Sequence, residues 1–157
     1  PTYVSPHKHT DLAPYEDRAE MCRRAFGHIP GVEVSDIEVR LGGTSYSINT
    51  VRALKEMYPN EQFFLLIGGD MLFSFDKWYK YESLLKETKV CAAARDGDSF
   101  ADMMEYANEL GRIKVLPTQA IEMSSTEVRN TIAQDGDFSR MVPHGVAEYI
   151  REKGLYR

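Results

Sequence analysis

One short segment, Ser124 to Arg129, carries three hydroxyl side chains and an arginine. Ser124 and Glu127 have the spacing of a capping box, so the plain interpretation is that a helix begins here. The free N–H groups and the dipole of a helix start also attract phosphate. Arg129 follows Ser125 by four residues and Thr126 by three, so all three can share one helix face. A guanidinium at that place could bind phosphate oxygens. Both interpretations, helix capping alone and a phosphate site, stay open.

A second group of polar residues follows a continuous apolar run, residues 63–67. Such a run predicts a parallel strand that is buried on both faces. It breaks at Gly68 and Gly69, where a ligand can approach the backbone closely, and at Asp70, which can accept hydrogen bonds from ribose hydroxyls. The alternative is a turn that begins a helix.

The elements that must position these residues alternate between helix and strand, which is typical of an α/β protein. Helices are predicted over residues 14–26, 48–58 (capped by Ser47), 81–86, from Asp98 or Ser99 to Gly111, 125–133 and 143–153. Strands are predicted over residues 32–39 (with a bulge near Ser35 and Asp36), 63–67, 90–94 and 113–116. A doubly wound parallel sheet follows, with ligands outside the carboxyl ends of its strands.

Composition narrows the class of protein. The 157 residues suit one domain. The chain has 19 Lys and Arg against 24 Asp and Glu, a net charge of −5. This charge argues against general binding of nucleic acid through its phosphates. No apolar run approaches the ~18 residues of a membrane helix, so no membrane association is expected. Cys22 and Cys91 form no C-x-x-C pair and are interpreted as reduced thiols of a cytoplasmic protein.

Six blocks then carry a resemblance to a known family. Residues 123–129 resemble the I-S-S-T-x-x-R signature of the nucleotidylyltransferase superfamily. Five more resemble segments of the bacterial nicotinate-nucleotide adenylyltransferases: residues 1–8 (P-x-x-x-P-P-H-K/R), 43–51 (G-P-S-Y-T-x-x-T-L), 64–70 (F-x-I-G-x-D), 75–81 (P-T-W-x-x-Y/W) and the closing helix and tail, 142–157. The blocks occur in order along the whole chain.

The resemblance implies a Rossmann-like, doubly wound parallel sheet of the nucleotidylyltransferase type and an activity. The expected reaction is adenylyl transfer from ATP to nicotinate mononucleotide, which gives deamido-NAD and pyrophosphate in NAD biosynthesis. Mg²⁺ is expected with ATP, and no metal is expected on protein ligands. The partners are these two nucleotides, and homo-oligomerisation stays open. The alternatives are a sibling that prefers nicotinamide mononucleotide and a non-catalytic nucleotide-binding module.

The resemblance also implies which residues bind the substrates, position by position. Arg129 is expected to contact the phosphates in the transition state. The other expected ATP contacts are Ser124, Ser125, Thr126, Gly68, Asp70, Arg95, His7 and Lys8. The expected mononucleotide contacts are Tyr46, Ser47, Trp78 and Tyr79. Plain alternatives stand beside three of them: a solvated loop or a His7-x-His9 metal pair for His7, a helix cap for Ser47, and an aromatic cover on the core edge for Trp78.

One family block is missing. The family opens with a strand, a glycine-rich turn ending in H-x-G-H, and a helix, and those histidines bind the ATP phosphates. No such motif occurs in this sequence. The resemblance therefore implies that residues 1–157 form one nucleotidylyltransferase-like domain that lacks the first β-α-β unit. On that interpretation, the chain as it stands has little activity of its own.

Overall fold

The computed structural model describes residues 1–6, 12–94, 99–118 and 123–157. Its helices and strands are α1 (Tyr15–Phe26), α2 (Ile37–Leu41), α3 (Ser47–Met57), β1 (Phe64–Gly68), α4 (Gly69–Leu72), a 3₁₀ turn (Phe75–Lys77), α5 (Tyr81–Glu87), β2 (Lys89–Ala93), α6 (Phe100–Leu110), β3 (Ile113–Leu116), α7 (Ser125–Ala133) and α8 (His144–Lys153). Among the described helices, none has the length and apolar character needed to cross a membrane.

The chain divides into two compact units. The helical unit contains Pro1–Ser45 and Met123–Arg157, and the sheet unit contains Tyr46–Glu122. The sequence interpretation of residues 1–157 as a single domain stays a prediction.

The sheet unit is built on three parallel strands in the order β1-β2-β3. Leu66 pairs with Cys91, and Cys91 pairs with Lys114. Parallel neighbours need a crossover, and α5 and α6 supply the helical part of the two connections. The three strands agree with those predicted over 63–67, 90–94 and 113–116 to within a residue or two.

One face of this sheet carries the core. Ile67, Val90, Ala92 and Val115 alternate along the strands and point to the same side. They are buried with side chains of α3, α4, α5, α6 and the 3₁₀ turn: Ile48, Val51, Leu72, Phe75, Leu84, Leu85, Met103 and Ala107.

The other face of β1 is open, which corrects a prediction. Phe64 and Leu66 are 62% and 65% exposed, whereas the apolar run predicted burial on both faces. The physical reason is that the buried helix residues of this unit pack against the Ile67 side. A run of apolar residues shows that both faces of a strand are hydrophobic, but it does not indicate which face a helix covers.

The helical unit has a separate core between α1, α7 and α8. Ile132, Phe138, Val146, Ala147 and Ile150 form it, with Met21 and Ala25 packed against them. The Tyr149 hydroxyl donates to Asp17 Oδ1 at 2.7 Å and so joins α8 to α1.

The predicted strand over residues 32–39 is wrong, because Ile37–Leu41 is helical. The Asp36 carbonyl accepts from the N–H groups of Val39 and Arg40, and Asp36 also forms an ion pair with Arg40 at 2.7 Å. Gly42, at φ 66°, ends the turn. The alternation of Val32, Val34, Ile37 and Val39 resembled a strand, but the i, i+4 pairing of Asp36 and Arg40 is helical spacing.

The predicted cap of α3 is also wrong. Tyr46 is the N-cap, Ser47 is the first helical residue, and no side chain accepts a capping hydrogen bond there. Ser47 is half-buried, and its hydroxyl makes no capping hydrogen bond at the helix start.

Candidate functional site

The start of α7 has the geometry that the capping box predicts. Ser124 is the N-cap, and its Oγ accepts a hydrogen bond from the Glu127 N–H at 3.0 Å. Ser124 through Glu127 are all exposed. The Glu127 N–H is used by this cap, whereas the N–H groups of Ser125 and Thr126 are the first of the helix and have no partner inside it. The capping interpretation is therefore confirmed, and the phosphate site stays a prediction.

Arg129 lies on the same face as Thr126. Its Nη2 donates to the Thr126 Oγ1 at 3.4 Å, which agrees with the i, i+3 spacing. Arg129 is half-buried, and in the described residues no carboxylate forms an ion pair with it. A half-buried cation without an internal counter-ion is able to bind an external anion.

Tyr156 is a neighbour of Arg129 that the sequence did not single out. Partial burial raises the pKa of the Tyr156 phenol, while the positive charges of Arg129 and Arg18 act in the opposite direction. Its backbone is left-handed, at φ 67°, which is uncommon for a bulky side chain. No sequence pattern signals this contact, because it depends on how the tail folds back after Gly154.

The N-terminal residues are tied to the segment around Ser45. Ser45 Oγ accepts from the N–H groups of Tyr3 (3.0 Å) and Val4 (3.3 Å), and the Ser45 N–H donates to the Val4 carbonyl at 2.9 Å. The Arg18 Nη1 of α1 also donates to the Thr2 carbonyl. Three predicted site residues, His7, Lys8 and Arg95, lie outside the described residues, so their roles stay predictions.

In the sheet unit, β1 runs directly into α4. Gly68 is the N-cap of α4, Gly69 is buried, and Asp70 lies exposed in the first turn. Asp70 thus stands at the carboxyl end of a parallel strand, the edge where the sequence placed it. A turn that begins a helix, the plain alternative, is present as well.

Two predicted mononucleotide contacts lie together. The rings of Tyr46 and Tyr79 have centroids 4.5 Å apart and are tilted by 37°. Tyr79 is 47% exposed, so part of this aromatic pair remains open. The Lys80 ammonium lies 5.1 Å from the Tyr79 ring centroid. The sequence did not single out Lys80 as a site residue, because its side-chain position depends on a left-handed backbone (φ 54°) that the residue type does not signal.

Trp78 packs on the core of the sheet unit. Its ring lies 5.1 Å from that of Phe75, which is fully buried, and its Nε1 is shielded from solvent. This is the arrangement of the plain alternative, an aromatic that covers the core edge. A stacking role for the half-buried ring stays a prediction.

Within the four described ranges of the chain, no three His, Cys, Asp or Glu side chains lie together in a way that could hold a metal ion. The side chains at the start of α7 are the hydroxyls of Ser124, Ser125 and Thr126 together with the carboxylate of Glu127.

Comparison with known proteins defines the class. Residues 1–131 match the family model described as cytidylyltransferase-like. The fold is similar to that of a Plasmodium falciparum nicotinic acid mononucleotide adenylyltransferase complexed with NaAD, with a TM-score of 0.77 at 16% identity over 99% of this chain and 79% of that one. The likeness confirms the predicted nucleotidylyltransferase-type α/β fold.

Two curated relatives narrow the class of protein to one family. A protein of Rhodopirellula baltica, named "Probable nicotinate-nucleotide adenylyltransferase", is 36% identical over 100% of this chain and 77% of its own length. A protein of the same name from Shewanella frigidimarina is 30% identical over 100% of this chain and 83% of its own length. The chain belongs to the nicotinate-nucleotide adenylyltransferase family, as the six sequence blocks predicted.

Proposed function

We propose that the protein transfers the adenylyl group of ATP to nicotinate mononucleotide, giving deamido-NAD and pyrophosphate. Family membership supports the reaction. The observation that carries the assignment of residues is the start of α7, where Ser124, Ser125 and Thr126 are exposed and Arg129 Nη2 donates to Thr126 Oγ1 at 3.4 Å. These groups suit the triphosphate.

In the proposed reaction, a 5′-phosphate oxygen of the mononucleotide attacks the α-phosphorus of ATP. A new phosphorus–oxygen bond forms, the bond between the α-phosphorus and the bridging oxygen breaks, and the electron pair leaves with pyrophosphate. No covalent enzyme intermediate is required. The protein contributes by positioning two anions and by stabilising the charge that builds on the leaving group. Arg129 supplies the positive charge, and Ser124, Ser125 and Thr126 supply hydrogen-bond donors.

We assign the pyridine ring to the aromatic pair of Tyr46 and Tyr79. An open, tilted pair with a nearby ammonium suits a planar ring that bears a carboxylate. Lys80 therefore favours the acid over the amide, since an amide has no charge for the ammonium to attract. Ser47 and Trp78 are proposed as further contacts, and Gly68 and Asp70 as contacts to the ATP ribose.

Mg²⁺ is proposed to arrive bound to ATP. Mg²⁺ in such sites uses one or two carboxylates together with substrate phosphates and retains several waters, so no three-residue protein cluster is needed. When bound, it neutralises phosphate charge and makes pyrophosphate a better leaving group. We also propose a cytoplasmic location, because Cys22 and Cys91 are both free thiols.

The test measures product and binding on the same protein. Deamido-NAD and NAD are quantified by chromatography after incubation with ATP, Mg²⁺ and either nicotinate or nicotinamide mononucleotide. ATP and each mononucleotide are also titrated separately by calorimetry. Formation of deamido-NAD at a higher kcat/KM than NAD supports the proposal. Preferential NAD formation assigns the amide instead. Saturable binding without product, both in this chain and in one to which the H-x-G-H block has been added, assigns a non-catalytic module. Absence of binding by both nucleotides overturns the assignment.

A further inference from the structure

The tail that follows α8 is fixed to the end of that helix by backbone hydrogen bonds. Gly154 is left-handed, at φ 62°, and its N–H donates to the Arg151 carbonyl at 3.3 Å. The Leu155 N–H donates to the Ile150 carbonyl at 3.1 Å, which completes a Schellman motif. Leu155 and Ile150 also belong to one apolar cluster, as the hydrophobic contact of this motif requires. The motif therefore fixes the position from which Tyr156 extends.

Tyr156 is held in a backbone conformation that its side chain disfavours. Its φ is 67°, in the left-handed region that bulky residues rarely adopt. A conformation of this kind persists only where the surrounding structure enforces it. Tyr156 is half-buried and packs against the cluster that contains Ile132 of α7 and Ile150 of α8. This packing joins the tail to α7.

The same packing brings Tyr156 to the helix that carries Arg129. Val128, the residue before Arg129, is packed against the cluster as well. Among the charges that act on the Tyr156 phenol, that of Arg129 has the largest effect and that of Arg18 the next largest. Arg129 is half-buried, and its Nη2 donates to Thr126 Oγ1 at 3.4 Å. The tail thus lies beside the arginine that the proposed reaction needs.

Tyr156 can restrict Arg129 without neutralising it. Burial raises the pKa of the Tyr156 phenol above the ordinary value of about 10, and the opposing effect of Arg129 and Arg18 is smaller. The phenol is therefore uncharged at neutral pH. A carboxylate in the same place would compensate the guanidinium, whereas an uncharged ring leaves its positive charge for an external anion. A side chain that is ordered in advance also loses less entropy when the ligand binds.

We propose that Tyr156 is a positioning residue for adenylyl transfer. Packed against the core of the helical unit, it holds α7 and the Arg129 side chain in the orientation that receives the triphosphate. This inference rests on the proposed function, because it takes the assignment of Arg129 to ATP as given. It adds a residue of the C-terminal tail that does not itself touch the substrate.

The test follows the Arg129 side chain and ATP binding in one set of variants of the full chain. Tyr156→Gly removes the ring, and glycine adopts a left-handed backbone without strain. Tyr156→Phe keeps the ring, and Met141→Ala removes another side chain that packs against the same cluster. NMR relaxation of the Arg129 Nε–Hε group reports its order in the absence of nucleotide. Calorimetry gives the dissociation constants of ATP and adenosine.

We expect the Arg129 Nε–Hε group to lose order in Tyr156→Gly and to keep it in Tyr156→Phe and Met141→Ala. The ATP dissociation constant should rise about fivefold in Tyr156→Gly and less than about twofold in the other two variants. Adenosine binding should be unchanged in all three. In an Arg129→Ala background, Tyr156→Gly should cause no further loss of ATP affinity, because a positioning residue acts only through the residue that it positions.

Three results overturn the inference. They are unchanged order of Arg129 in Tyr156→Gly, unchanged ATP affinity in that variant although Arg129 has lost order, and an equal loss of ATP affinity with and without Arg129, which is the result for a purely structural tail. A different result overturns the phosphate site itself, namely ATP binding that is absent or that Arg129→Ala does not weaken. Circular dichroism verifies that each variant is folded.

Discussion

Two N-cap serines in this protein make the same hydrogen bond, and only one of them is assigned to ATP. Ser124 Oγ accepts from the Glu127 N–H at 3.0 Å, and Ser99 Oγ accepts from the Asp102 N–H at 3.2 Å. Both serines are exposed. Replacing an N-cap serine by alanine costs about 1 kcal/mol, with a range of roughly 0.5–2. Ser124→Ala and Ser99→Ala should therefore lower the free energy of unfolding by similar amounts.

The two variants should differ in ATP binding. A serine hydroxyl that accepts from a backbone N–H can still donate its own proton. If Ser124 donates to a phosphate oxygen, its loss costs about 1 kcal/mol, or about fivefold in the ATP dissociation constant. Ser99→Ala removes a cap at α6, to which no ATP contact is assigned, and should leave ATP affinity unchanged.

The assay pairs urea unfolding, followed by circular dichroism, with calorimetric titration of ATP. Equal destabilisation with a selective loss of ATP affinity in Ser124→Ala supports the phosphate role. Equal destabilisation with equal ATP affinity leaves only helix capping at Ser124. That result would refute the assignment of the Ser124 hydroxyl to the triphosphate.

Three further predictions concern the mononucleotide, the core and alkaline pH. Lys80→Gln should raise the KM for nicotinate mononucleotide several-fold and leave that for the amide unchanged; equal shifts would contradict the charge assignment. Met103→Ala should cost roughly 2–5 kcal/mol in urea unfolding because Met103 is fully buried, whereas Met104→Ala, at a 39% exposed neighbour, should cost far less. The hydrogen bond to Asp17, with burial, raises the pKa of Tyr149. Its stabilising contribution is therefore full below the ordinary tyrosine pKa of about 10 and is lost as pH rises through the raised value. Tyr149→Phe should flatten the fall in melting temperature above pH ~10, and an unchanged slope would contradict this.

The sequence predicted the elements that have strong local signals. The helices α1, α6, α7 and α8 have apolar stripes with clear starts or stops, such as Ser124 before α7 and Gly154 after α8. The strands of the sheet unit are short apolar runs bounded by helices. Hydrophobic periodicity and capping are local properties, and so they can be read without the tertiary structure.

What the sequence missed depends on contacts between distant residues or on backbone geometry. The face of β1 left open at Phe64 and Leu66 depends on which side the helices cover. The position of Lys80 over Tyr79 and of Tyr156 beside Arg129 depends on left-handed backbone at Lys80 and Tyr156, which neither residue type favours. The strand predicted over residues 32–39 is wrong at its end because the alternating apolar residues have a period of two, whereas the Asp36–Arg40 ion pair has helical spacing.

The most direct test of the proposed phosphate site is calorimetric titration of ATP into the unmodified protein and into Arg129→Ala, with Arg140→Ala as a surface-arginine control. Removing a charged hydrogen-bond partner costs about 1.5–3 kcal/mol, so Arg129→Ala should weaken ATP binding by roughly tenfold or more, leave adenosine binding unchanged and differ clearly from Arg140→Ala. ATP affinity that is the same in all three proteins would contradict the assignment of Arg129 to the triphosphate.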